Sequence, residues 1–196
     1  MISGKDAPSL DFRTMSQQAP IQFAFFRGPI DDPSTPAVVF EAIGRAATAW
    51  ARLEQHIDAV IFHINKKAHS EQLYREHPIS FEGKIKMLKV WFNKHPALAS
   101  HADDIRILTS RLKILSKESR NPLLHSIFSE YDPATNTLYF QNIKSEGRDT
   151  FRIRRLTLPL VGVVALAEVI NSANRYLGAI SRDLFSPDGI RRFQKP

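Results

Sequence analysis

Between Val39 and Ile64 the apolar side chains recur at alternating steps of four and three: Val39, Ile43, Ala46, Trp50, Leu53, Ile57, Val60 and Ile64. Eight residues so spaced fall on one stripe of an α-helix, so the pattern predicts a helix about 30 residues long that ends near Lys67. Thr35-Pro36 supplies its start, a capping hydroxyl followed by a proline at the first helical position. The polar stretch His69 to Pro78 breaks the pattern. Ser80 then caps a second helix, with Ile85, Leu88 and Phe92 on its apolar face, which stops before Pro96. A third helix begins at about Ala102, with Ile105, Leu108, Leu112 and Leu115 on one side and Arg106, Lys113 and Lys117 on another.

Beyond Asp132 the period changes. Leu138-Tyr139-Phe140 and Phe151-Arg152-Ile153 are short strand-like runs on either side of Glu146-Gly147, which predicts a small β-hairpin. Thr157 is the expected cap of a last long helix, with Pro159 in its first turn. Leu160, Val164, Ala167, Ile170, Leu177 and Leu184 form its buried side. The pattern thus predicts an all-α fold over residues 37–185, a bundle of four to five helices with a small hairpin before the last one. Residues 1–36 hold five prolines, which exclude a long helix. They read as an extended arm whose Ile21-Gln22-Phe23-Ala24-Phe25-Phe26 patch docks on its own domain or on a partner subunit. Residues 186–196 read as a basic, frayed tail.

Composition narrows the chemistry. A chain of 196 residues is ample for one core. The lack of cysteine excludes disulfide scaffolds, thiolate zinc sites and thiol nucleophiles. Met1 to Pro20 lacks the apolar core of a secretory signal. The run Leu156 to Ile170 is interrupted and shorter than the roughly 18 residues that suggest a membrane span. The expectation is a soluble, cytoplasmic protein with no membrane partner. The net charge of +7 is uneven. Between Lys84 and Arg120 nine bases face three acids (Asp103, Asp104 and Glu118), so the excess gathers on the second and third helices. Arg106, Lys113 and Lys117 are accordingly candidate RNA-binding residues, with a solvated helix face as the plain alternative. His56 and His63, seven apart on one helix, lack the further ligands a metal needs and read as packing. No Gly-rich phosphate loop, nucleophile elbow or HExxH helix occurs, so no metal and no cofactor is expected.

The third helix runs into Glu118-Ser119-Arg120-Asn121-Pro122-Leu123-Leu124-His125. Here the sequence resembles the HEPN superfamily (higher eukaryotes and prokaryotes nucleotide-binding), helical bundles that carry Arg, four to six residues, then His, often with Asn directly after the Arg. Arg120, Asn121 and His125 match that motif. The order of a long first helix with Trp50, Leu53 and Glu54, a shorter second helix, the motif after the third and a final helix is similar as well, over about residues 36–185. The resemblance implies a homodimeric endoribonuclease of the defence or toxin kind, with two motifs meeting across the dimer and a cognate antitoxin or other protein as a further partner. It implies metal-independent RNA cleavage to a 2′,3′-cyclic phosphate, with His125 as acid or base, Arg120 on the phosphate, Asn121 orienting the phosphate or the imidazole, and Glu54 as a supporting polar group. The alternative is a non-catalytic helical domain for dimerisation, or for binding nucleic acid or protein. Where one group of the family's toxins has a tyrosine, two residues after the His, this chain has Ile127. Residues five apart on an ideal helix point about 140° from each other. Arg120 and His125 are therefore expected to converge only through a backbone break, which Pro122 would supply.

Overall fold

A computed structural model describes residues 9–11, 35–68, 77–145 and 150–193. The apolar patch at residues 21–26 and part of the 69–78 polar stretch lie outside the described residues. Contacts divide the chain into two compact units, Met1–Ala47 with Glu118–Ala165, and Thr48–Lys117 with Leu166–Pro196. The first is built mainly on a sheet and the second is helical.

The helical unit takes its residues from the predicted stripes. Helix α1 spans Ala37–Ala68. Trp50, Leu53, Ile57, Val60 and Ile64 are all buried, with Ile61 beside them. Helix α2, Phe81–Lys94, starts as expected: the Ser80 hydroxyl accepts from Gly83 N at 3.1 Å. It buries Ile85, Leu88 and Phe92, and also Met87 and Trp91. A tight turn over Pro96–His101 leads into α3, Ala102–Leu115. Ile105, Leu108 and Leu112 point inward, and so does Thr109, whose hydroxyl donates to the Ile105 carbonyl at 2.6 Å. That bond within its own turn lets a polar side chain enter the core without an unmet donor.

Ser116–Arg120 forms one turn of π-helix, and Asn121–His125 forms the short α4. Strands β2 (Ile127–Asp132), β3 (Thr137–Ser145) and β4 (Thr150–Pro159) follow. They pair antiparallel, and β1 (Ser9–Asp11) adds to the far side of β4, in the order β1-β4-β3-β2. Helix α5 spans Leu160–Leu184 and α6 spans Pro187–Arg192. The chain is therefore mainly helical with a small antiparallel sheet.

Several expectations are corrected. The single hairpin is the β3–β4 part of a larger sheet. The two predicted runs lie in adjacent strands but not opposite each other, since Phe140 pairs with Leu156 and Phe151 with Ser145, and β2 joins the other edge of β3. The β2–β3 turn is fixed by polar groups. Asp132 accepts from Ala134 N at 2.9 Å and from the Thr135 hydroxyl at 2.6 Å, and Asn136 takes φ 53°, a conformation asparagine tolerates better than most residues. Thr157 is not a helix cap. It pairs with Tyr139 in β4, and the helix starts three residues later, where Leu160 N donates to Asn136 O at 2.9 Å. The buried side of α5 is as predicted at Leu160, Ala167, Ile170, Leu177 and Leu184, but Val163 is buried in place of Val164, which is exposed. The tail is not frayed throughout. Ser186 caps α6 by accepting from Gly189 N at 3.0 Å.

Candidate functional site

The motif residues lie together at the junction of the π-turn and α4, in the sheet unit. Proline lacks an N–H, so Pro122 cannot donate to the preceding turn, but it is tolerated in the first turn of a new helix. The backbone irregularity accordingly falls ahead of Pro122, at Ser116–Arg120, and Asn121–His125 is regular helix. This corrects the expectation of a break at Pro122. Convergence comes instead from the length of the arginine. Arg120 Nη1 lies 3.3 Å from His125 Nε2 and donates to Asn121 Oδ1 at 3.2 Å. Pro122 and Leu123 are buried and anchor the short helix, while Asn121 and His125 are exposed.

The contact between Arg120 and His125 restricts the imidazole. Guanidinium has donors only, so His125 Nε2 can engage it only through a lone pair, with the ring proton on Nδ1. A basic nitrogen and a forked cation thus share one exposed spot. Asn142 on β3 holds the histidine's backbone: its Nδ2 donates to the His125 carbonyl at 2.8 Å and to the Ser126 hydroxyl at 3.2 Å. The carbonyl at the end of a short helix has no intrahelical partner, so this side chain meets a need of the backbone. Sequence reasoning missed Asn142. The only signal was an asparagine inside a run of strand formers, where asparagine is disfavoured.

The other candidates belong to the helical unit. Glu54 accepts from Lys84 Nζ at 3.1 Å, and Asp58 accepts from the same nitrogen at 2.8 Å and from His77 at 2.8 Å. Burial alone would push the Lys84 pKa down, but the two carboxylates outweigh it and the net direction is upward. Arg106 pairs with Asp103 at 3.2 Å, Lys113 lies 3.7 Å from Glu82, and Lys117 is exposed. These three bases are solvent-facing, as their stripe predicted. His56 engages Asn174 at 2.7 Å and Ser181 at 3.1 Å, and His63 packs its ring on Phe185. Both act in packing, as expected. Among the described residues no group of three or more His, Asp or Glu side chains could hold a metal ion.

A second polar cluster was not foreseen. Asp183 Oδ2, at the end of α5, accepts from His101 Nε2 and from Arg192 Nη2, both at 2.6 Å. Arg192 also reaches the Ser100 hydroxyl at 3.2 Å, and the Tyr176 hydroxyl donates to Asp104. Arg192 first, and then His101, hold the Asp183 carboxyl below its ordinary value.

No family model, curated protein or solved structure matches this chain. The reading of its function therefore rests on its own residues. Among the described residues no helix is long and apolar enough to cross a membrane.

Proposed function

We propose that this chain is a homodimeric, HEPN-like endoribonuclease that cleaves RNA without a metal. The observation that carries the reading is the 3.3 Å approach of Arg120 Nη1 to His125 Nε2 at an exposed helix end, with Asn121 beside them. In the reaction, the ribose 2′-hydroxyl gives its proton to a histidine nitrogen and attacks the adjacent phosphorus. The O5′ leaving group takes up a proton, which leaves a 2′,3′-cyclic phosphate and a 5′-hydroxyl, with no water consumed. An imidazole titrates near neutral pH and suits that transfer. Arg120 stays charged and donates two parallel hydrogen bonds to the phosphate oxygens as their charge builds. Apposed motifs in a dimer would supply one histidine as base and one as acid. A protein antitoxin that covers the motif is the partner class this reading entails.

A second reading has its own support. Arg120 engages both Asn121 and His125, a clasp that would stiffen the helix end of a non-catalytic dimerisation or binding domain. One assay separates the two. Purified protein is incubated with single-stranded RNA in chelator, and product ends are mapped. The ribonuclease reading expects cyclic phosphate ends, with His125→Ala and Arg120→Ala each slowing cleavage by about 10²-fold or more. An inert wild type, or variants as active as wild type, rejects it.

A further inference from the structure

The pairing of β3 with β4 is unbroken, and residues directly opposite each other in such a ladder project to the same face. Asn142 is opposite Arg154. Leu138 and Phe140 share that face with Asn142, and both are buried. Phe128 stacks on Phe140 at 5.6 Å and meets Phe40 edge-on at 5.9 Å. One end of this face is therefore apolar and covered. The other end carries Asn142, Arg154 and Arg152, and both arginines are exposed.

Asn142 is the side chain that holds the His125 carbonyl. Arg154 thus stands about 5 Å, Cβ to Cβ, from the residue that positions the candidate histidine. Among the described residues Arg154 makes no ion pair. The opposite face differs. There Arg155 lies over the Tyr139 ring, 6.0 Å from its centroid, and Glu130 is paired with Tyr139. Two consecutive arginines therefore sit in contrasting settings, one beside the motif and one against an aromatic ring.

We propose that Arg154 binds a backbone phosphate of single-stranded RNA next to the scissile one, which extends the site from α4 onto the sheet. This assignment rests on the ribonuclease reading. It accounts for an exposed arginine beside the histidine clamp, and it sets the strand's path along the Asn142 face of β4. Arg106, Lys113 and Lys117 play no part in it.

The test uses a 2′-O-methyl oligouridylate, which binds but lacks the attacking hydroxyl. Its affinity for the full chain is measured across a salt series. Each phosphate contact on a single strand contributes about 0.7 to the slope of log affinity against log salt. Arg154→Gln is expected to lower the slope by about 0.7 and the affinity by about fivefold at 0.1 M salt. Arg154→Lys is expected to keep the slope, and Arg155→Gln to leave both unchanged. An unchanged slope in Arg154→Gln, or an equal loss in Arg155→Gln, overturns the proposal. His125→Ala separates the two claims, because it should bind the oligomer normally and fail to cleave RNA. If that variant still cleaves, the ribonuclease reading is lost, while the slopes of the three arginine variants are read independently.

Discussion

Lys84 has a side chain only 9% exposed, and its charge is met by two carboxylates on the facing helix. A buried amine left alone would be costly, but here Glu54 and Asp58 compensate it. Lys84→Ala leaves two acids one helical turn apart with no counter-charge and opens space where the stem lay. A loss of about 2 kcal/mol is expected in urea unfolding, with Lys84→Met costing less because the stem's packing is kept. A Met variant no better than Ala would show that packing of the stem contributes little. Because the Lys84 pKa is raised, its contribution is complete below the ordinary value of 10.5 and fades as pH climbs through the higher folded value. Asn142 makes the contrasting case of a neutral residue whose effect is positional. Asn142→Ala leaves the His125 carbonyl without its donor, so RNA cleavage should lose about tenfold in kcat with little change in KM. A rise in KM with kcat unchanged would contradict a positioning role.

At the scale of elements, α1, α2 and α3 were legible because each buries one stripe, and burial is what periodicity records. The stripe even anticipated which bases of α3 face solvent. The junction Ser116–His125 was half legible. Its residues identified the motif, but the place of the irregularity depends on where a helix can best absorb a missing N–H, and that depends on the neighbouring turns. Strand β2 went unread because Ile127–Asp132 buries none of its residues fully and does not alternate cleanly. Thr157 misled because a hydroxyl before a proline imitates a helix start, whereas ten consecutive residues of ladder outweighed that local preference. In α6 the decisive residue is Gly189. A Cβ there would strike the carbonyl oxygens of Asp183 and Leu184, so only glycine permits this approach. Gly189→Ala should cost about 1–3 kcal/mol. It should also raise amide exchange within Pro187–Arg192, while α2 and α3 keep their protection. Uniform loss of protection would mean that α6 is not a separate attachment.

For the whole molecule, the proposal of a dimer is directly measurable. Sedimentation should give twice the chain mass of 22.3 kDa, and Arg120→Ala mixed with His125→Ala should show whether neighbouring chains share a site. A species of one chain mass that still cleaves RNA would exclude a site built from two motifs. Acid stability has a defined sign as well. Asp183 has a lowered pKa, so its contribution is present above the ordinary value of 3.8 and is lost as pH falls through the lower folded value. The attachment of α6 should therefore persist through mild acid and fail only below about pH 4, a step that Asp183→Asn should abolish in pH-dependent amide exchange. One oxygen of Asp183 accepts from both His101 and Arg192, so two donors from different parts of the chain converge on a single carboxylate. When either donor is lost the other still holds the carboxylate, so the damage from a single change is partly masked. Losing both should cost more than the two single losses added together. Helix α6 is thus held by a redundant fastening, in which neither donor is indispensable and the shared carboxylate is.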